Sequence, residues 1–293
     1  MSTVAAMSRH EQAIFSYIQW KDIYKDEKPY EILADLPIEA NGTAKTNITL
    51  EKGTADNVTD VRDREAEFSL DNNGFAFIKH KSDFTEFDKS KFVEDEFLPK
   101  VVEPFLKKHV EGADRIVFFD WHLRRNVREE APEKIDINDG SHALLPVNYP
   151  HIDQSPASAI LRVRQQFGEE ADELLKGRVR IVNFWRPLWR PVVDAPLALC
   201  DGSTVTADDV ILVDHVREFH VGETVYLRQK PTNKWYYLSH QQPDEVTLIK
   251  IFDSKQNCAA KWCPHASFNH ADVGIGHSPR ESIEVRALIF TKP

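Results

Sequence analysis

Residues 149–158 read YPHIDQSPAS, and the pair in them that could do chemistry is His151-Ile-Asp153. The stretch follows β-forming residues. Side chains alternate faces along a strand, so an imidazole and a carboxylate two residues apart point the same way. Such a pair makes either a surface ion pair or two ligands of a metal. A metal needs a third ligand, and far downstream WCPHASFNH sets His265 inside another β-type run. A His-x-Asp pair on one strand with a histidine on a distant one is the two-histidine, one-carboxylate pattern. That pattern leaves three coordination positions open on one face of Fe(II). Two of them suit a chelating cosubstrate and one suits dioxygen.

The segment PRESIEVRALIF follows His265. Even spacing on a strand puts Arg280, Ser282, Glu284 and Arg286 on one face and Ile283, Val285 and Ala287 on the other. An arginine and a hydroxyl two residues apart are the donors that a carboxylate tail requires, the guanidinium forking onto both oxygens. A metal holding the 2-oxo-acid end of a dicarboxylate and Arg280 holding its far end would complete one site. Arg286, six residues on, lies about 20 Å further along an undistorted strand, placing it at the iron end or against the substrate. In NFWRPLWRP, Asn183 and Trp185 share one face and Phe184 and Arg186 the other. Arg186 and Trp185, with Arg286, are the candidate substrate contacts.

Other residues compete for these roles. Cys258, Cys263, His265 and His270 give C-x4-C-x-H-x4-H. That spacing matches no standard structural zinc site and leaves His151-x-Asp153 without a purpose; Cys263 reads instead as a small buried apolar residue. Asp120 and His122 form a reversed D-x-H on an earlier strand and are expected at the edge of the core, with a pocket role as the alternative, and not on the metal. His240, His270 and His277 are expected in solvent.

The elements that would carry the site lie mostly after residue 114. RIVFFDWHLRR (115–125) reads as a strand. Residues 156–176 open on a proline, repeat apolar residues three to four apart and stop at Gly177, which predicts a helix. Short β-type runs follow at 178–188, 210–215, 223–229, 234–240, 245–254, 257–268 and 282–290, at a spacing that suggests a sandwich or barrel. Before residue 115, a helix is expected over 9–24, a polar, turn-rich segment over 39–64, a strand over 75–80, and a helix over 91–110 interrupted by Pro99 and Pro104. The expected organisation is one domain over 1–293: an N-terminal helical and loop layer (1–114) packed on a β-rich core (115–293).

Bulk properties narrow the partners. The 293 residues carry a formal charge of −10. This disfavours nucleic acid and anionic membranes, which want basic surfaces, and leaves a small-molecule substrate. No run of about 18 apolar residues exists to span a membrane. The first residues lack a basic segment followed by an apolar one, so no signal peptide is expected. Three sparse cysteines suit a reducing compartment, and the cytoplasm is the expected location. The Asn-x-Thr triplets at Asn41, Asn47 and Asn57 then read as chance matches. Oligomeric state stays open, with a homodimer among the options.

His151-x-Asp153, His265 and Arg280-x-Ser282 together resemble the Fe(II)/2-oxoglutarate-dependent oxygenase superfamily. The blocks HIDQSPASAILRVR, VNFWRPLW, KWYYLSHQQPDEVTLIKIFDS and PRESIEVRALIF are similar to a fungal family of hydroxylases and desaturases, whose relatives include a gibberellin desaturase and a protein of cephamycin methoxylation. The resemblance covers about 115 to 291. It implies a double-stranded β-helix (jelly-roll, cupin-like) core in a β-rich α+β fold. It also implies Fe(II), 2-oxoglutarate and dioxygen as reactants, and an oxidation of a C–H bond in a small metabolite of fungal secondary metabolism. The outcome stays open among hydroxylation, desaturation and ring closure such as aziridine formation from an amino acid. The rival reading is a β-barrel that binds a small molecule without chemistry.

Overall fold

The computed structural model describes residues 10–33, 44–82, 84, 87, 90–127, 142–217, 220–270, 273 and 277–292. Asn41 and the start of the predicted polar segment lie outside them. The first strands are β1 (His10–Ala13), β2 (Ser16–Ile18), β3 (Tyr30–Ile32), β4 (Leu50–Lys52), β5 (Asp56–Asp60) and β6 (Phe75–Lys79). A helical segment follows: α1 (Ser90–Phe92), a π-helical stretch Val93–Val102, and α2 (Glu103–His109). Then come β7 (Arg115–Arg125), β8 (His151–Ile152), α3 (Pro156–Phe167), α4 (Ala171–Leu174), β9 (Arg178–Pro187), β10 (Leu197–Cys200), β11 (Val210–Arg217), β12 (His220–Leu227), β13 (Trp235–Tyr237), β14 (Glu245–Asp253), β15 (His265–Ser267) and β16 (Glu281–Thr291).

The strands form a nine-stranded sheet, β1-β5-β13-β10-β15-β8-β12-β11-β3, and a five-stranded sheet, β6-β14-β9-β16-β7, with β2 and β4 paired apart. Ile181, Trp185, Ile249, Leu288 and Phe290 of the five-stranded sheet pack between the layers against Ile152, Leu199 and Val225 of the other. Burying each such side chain contributes about 1.5–3 kcal/mol. The outer face of the five-stranded sheet, with Val182, Phe184, Val285 and Ala287, is covered by Phe97, Leu98, Val102 and Phe105 of the helical segment. The architecture is mostly β with few helices.

The N-terminal third differs from expectation. The helix expected over 9–24 is not formed by its described residues: within 10–24 lie β1, β2 and the start of a short 3-10 helix. Beyond covering the core, this third supplies edge strands to both sheets, β5 pairing with β13 and β6 with β14. Pro99 lies inside the π-helical stretch and Pro104 at the start of α2, so the prolines alter the hydrogen-bond pattern without ending the helical path. The helix predicted over 156–176 starts as expected, with Ser155 accepting from the Ser158 amide and Pro156 in the first turn. It breaks early at Gly168, whose φ of 52° favours glycine, and resumes as α4. Among the described residues no helix is long and apolar enough to cross a membrane.

Candidate metal centre

β8 and β15 are adjacent antiparallel strands, and their pairing sets His265 directly opposite His151. The ring centroids are 4.6 Å apart. Asp153 follows β8 by one residue, and its Oδ1 comes within 3.7 Å of His151 Nε2. One ligand atom from each of the three residues lies within 4.8 Å of the others, the only such group of histidines, cysteines and carboxylates among the described residues.

The polar neighbours fix which ring nitrogens face the centre. His151 Nδ1 sits 3.0 Å from the Tyr149 carbonyl and His265 Nδ1 3.1 Å from the Cys263 carbonyl. A carbonyl only accepts, so each Nδ1 carries the proton and each Nε2 keeps its lone pair for a metal. Burial, and then the nearby His151, push the His265 imidazolium down to about 4, so the ring is neutral at physiological pH. Burial acts to raise the Asp153 carboxyl, but the Arg286 guanidinium and the two histidines outweigh it and hold it well below the usual range. Two imidazoles that turn Nε2 to one carboxylate are the donors that a divalent iron wants, so the donor set fits.

Both Asp153 oxygens are anchored from the opposite sheet. Arg286 on β16 donates to Oδ1 at 2.8 Å, and Asn183 on β9 donates to Oδ2 at 2.6 Å. Arg286 also pairs with Asp120 at 2.8 Å and with Glu284, while Asn183 donates to Glu284 at 2.8 Å. One sheet thus supplies the ligands and the other orients the carboxylate.

Arg280 and Ser282 lie on the same face of the β16 segment as Glu284 and Arg286. Arg280 is 4% exposed and stacks 5.7 Å from the Trp185 ring. One of its N–H groups donates to the Ala195 carbonyl, but Nε has no partner and no carboxylate pairs with the guanidinium among the described residues. Burial lowers it to about 9, still cationic at neutral pH. The Ser282 hydroxyl is fully buried and also lacks a partner. Unpaired buried donors of this kind are rare and costly, and an incoming carboxylate would satisfy them. Arg280, Glu284, Trp185, His151 and His265 line one cleft with 20 Å³ of free volume, room for a single water. The Arg124–Glu284 pair, 3.2 Å, lies at this cleft. A five-carbon diacid therefore fits the donors but needs side chains such as Arg124 to swing aside.

A larger cavity of 320 Å³ shares His151 and Arg124 with the cleft and is walled by Asp153, Arg286, Asp120 and His122. Asp120 and His122, expected at the core edge, are therefore cavity wall, bonded to each other at 3.1 Å and set apart from the metal cluster. Arg286 meets Asp153 itself. Trp185 lines the cleft, but Arg186 is not brought to this site. It points to the opposite face of β9, donating to the Pro187 carbonyl, with Phe87 beside it. Cys263 is fully buried, and His270 lies near Glu11. Glu284, Asn183 and Arg124 went unassigned in the sequence. Face parity was the available signal for them.

Comparison with known proteins gives a consistent picture. A family model described as Oxidoreductase/YMDC permease-like domain matches residues 15–290. Aspirochlorine biosynthesis protein N of Aspergillus oryzae is 48% identical over 139 residues, a match spanning 47% of this chain and 58% of that protein. The Fe(II)/2-oxoglutarate-dependent dioxygenase nvfI of Aspergillus novofumigatus is 35% identical, covering 79% of this chain and 81% of its own. The hydroxylase/desaturase CTB9 of Cercospora beticola is 33% identical over 80% and 75%. Among solved structures, the iron and alpha-ketoglutarate-dependent endoperoxidase NvfI superposes with a TM-score of 0.82 at 29% identity, covering 98% of this chain and all of that one.

Proposed function

We propose that this chain, which belongs to the family of fungal Fe(II)/2-oxoglutarate-dependent dioxygenases and hydroxylase/desaturases, holds its iron on His151, Asp153 and His265 and its cosubstrate on Arg280 and Ser282. It is an oxidoreductase that uses Fe(II), 2-oxoglutarate and dioxygen. When bound, iron and 2-oxoglutarate would supply, with dioxygen, an oxidant able to take hydrogen from an unactivated C–H bond, one oxygen atom entering succinate as carbon dioxide leaves and the other serving as the oxidant. The chain's residues do the rest. The two carbonyl-anchored histidines present Nε2. Arg286 and Asn183 fix the Asp153 carboxylate in one orientation. Arg280 and Ser282 give the far carboxylate of the cosubstrate its charge-assisted donors. The 320 Å³ cavity would hold a small metabolite with one carbon turned towards the three-residue cluster. Whether hydroxylation, desaturation or ring closure follows depends on which carbon is held there.

The observation that carries the reading is the co-burial of an open three-ligand cluster and an arginine without a carboxylate partner, two of the ligands, His151 and His265, lining the same cleft as Arg280. On the same reading the two sheets are a double-stranded β-helix and 1–293 is one oxygenase domain; the free cysteines suit the reducing cytoplasm proposed for it. The test is anaerobic addition of Fe(II) and then 2-oxoglutarate. A weak visible charge-transfer band should appear, and be lost in His151→Ala and Arg280→Ala. A full-strength band in both variants would overturn the assignment.

A further inference from the structure

The large cavity carries more information than its volume. Its wall includes α3, which starts three residues after Asp153. On that helix Ala159 and Val163, four residues apart, enter the core. Ser158 and Arg162, also four apart, line the cavity, and Gln154 precedes them by another four. The sequence therefore leads a polar row of positions 154, 158 and 162 from the metal motif along the cavity wall.

The cavity's charges are almost all spoken for. Arg286 is paired with Asp120, Asp153 and Glu284. Arg124 is paired with Glu284, and Glu223 with Lys28. Arg217 stands exposed at the rim. Arg162 alone is part-buried with no carboxylate in ion-pair range among the described residues, and its Nε is buried without a partner. Its guanidinium lies 4.3 Å from the centroid of the Phe119 ring. Stacking occupies the face of the group and leaves its donor edge free. Three more buried polar atoms of the same wall lack partners, Gln154 Oε1, His122 Nδ1 and Glu223 Oε1. A cavity for a purely apolar occupant would not leave four polar atoms waiting.

We infer that Arg162 is the substrate's anion grip: the metabolite taken by this site is a small carboxylate, held by its carboxyl group on the Arg162 guanidinium while a carbon of its body lies beside the metal cluster. This rests on the cavity being the substrate site of the proposed oxygenase. A single unpaired guanidinium with Asp120 and Glu223 on the same wall favours a monoanion over a doubly charged phosphate.

The test uses the full chain, loaded anaerobically with Fe(II) and saturating 2-oxoglutarate so that the Arg280 cleft is filled. The probes are 3-methylbutanoate and its uncharged amide, titrated by calorimetry. The acid should bind wild type at least about 10-fold more tightly than the amide, and R162Q should bring the acid down to the amide's level. R162K, which keeps the charge and loses the fork, should fall between. The 2-oxoglutarate titration of R162Q should match wild type, which also shows that the variant is folded. Wild type that binds neither probe, or binds both equally, overturns the inference. So does an R162Q protein that binds the acid as wild type does. If 2-oxoglutarate itself fails to bind wild type, the oxygenase reading fails separately. The same titrations on R280A, with and without R162Q, then decide the role of Arg162 alone.

Discussion

Replacing Arg280 by alanine separates cosubstrate binding from metal binding. The guanidinium is 4% exposed, stacked by Trp185, and held at one N–H by the Ala195 carbonyl. Its Nε and the Ser282 hydroxyl are left for a ligand. A carboxylate drawn into this place is desolvated, and removing its cationic partner leaves it buried and uncompensated, at a cost of about 3–5 kcal/mol. At a factor of ten per 1.4 kcal/mol, that is roughly 100-fold or more in the dissociation constant of 2-oxoglutarate. Ser282→Ala removes one hydrogen bond to a charged group, worth about 1.5–3 kcal/mol, so its effect should be smaller. Iron affinity should survive both changes. Arg286→Ala should behave in the opposite way, because that side chain holds Asp153 and not the distal carboxylate. It should loosen the metal first. The assay is a 2-oxoglutarate titration of each metal-loaded protein beside a separate metal titration. If Arg280→Ala keeps its 2-oxoglutarate affinity while Arg286→Ala loses it with metal still bound, the grip belongs to Arg286 and the reasoning fails.

Four further outcomes are expected. Alanine at His151, Asp153 or His265 should lower Fe(II) affinity by at least about 10-fold, whereas His270→Ala and Asp120→Ala should leave the ion bound; equilibrium dialysis decides. Asn183→Ala removes one anchor of Asp153 and should weaken iron about 10-fold, with 2-oxoglutarate affinity of the remaining metal-loaded fraction unchanged. Asp253→Asn leaves the fully buried Lys250 ammonium, bonded to Asp253 at 2.6 Å and Asp71 at 3.0 Å, with one carboxylate instead of two, and should cost up to about 3 kcal/mol in denaturant unfolding. The last concerns acid. Because burial holds His265 at about 4 in the folded chain against the ordinary imidazole value of 6.5, the unfolded chain takes up this proton first. Metal-free stability should therefore be full above pH 6.5 and fall as pH drops towards 4, by up to about 3 kcal/mol. His265→Asn should flatten that slope in urea unfolding series, and an unchanged slope would refute His265 as its origin.

Strands buried on one or both faces were legible because their composition and alternation survive any context. β7 runs over the expected residues and β9, β14 and β16 within a residue or so. The clustering of His151, Asp153 and His265 was legible because their residue types and order are demanding. What the sequence hid was set by pairing. Residues 10–18 have apolar spacing that suits a helix, yet β5 and β4 draw them into strands, tertiary contact overriding local preference. The Arg286–Asp153 contact joins two sheets, so no spacing along β16 reveals it.

The placing of Phe119 beside Asp120 and His122 has a more specific cause. Across β7 and β16, Arg286 faces Asp120, Glu284 faces His122 and Ser282 faces Arg124, so the even-numbered residues of both strands point at the site. The register then shifts, and Ala287 pairs with Phe118, leaving Phe119 as the extra residue of a bulge. Beyond it, the inward residues of β7 become odd: Phe119 and Val117 join the core between the sheets, while Phe118 and Ile116 join the outer one. A bulge places two consecutive side chains on one face, so Asp120 reaches Arg286 while Phe119 lies beside Arg162. Reading 115–125 as an unbroken alternation puts Phe119 on the face opposite Asp120. The one residue that breaks the alternation lets β7 supply both the acid that pairs with Arg286 and the ring against which Arg162 stacks.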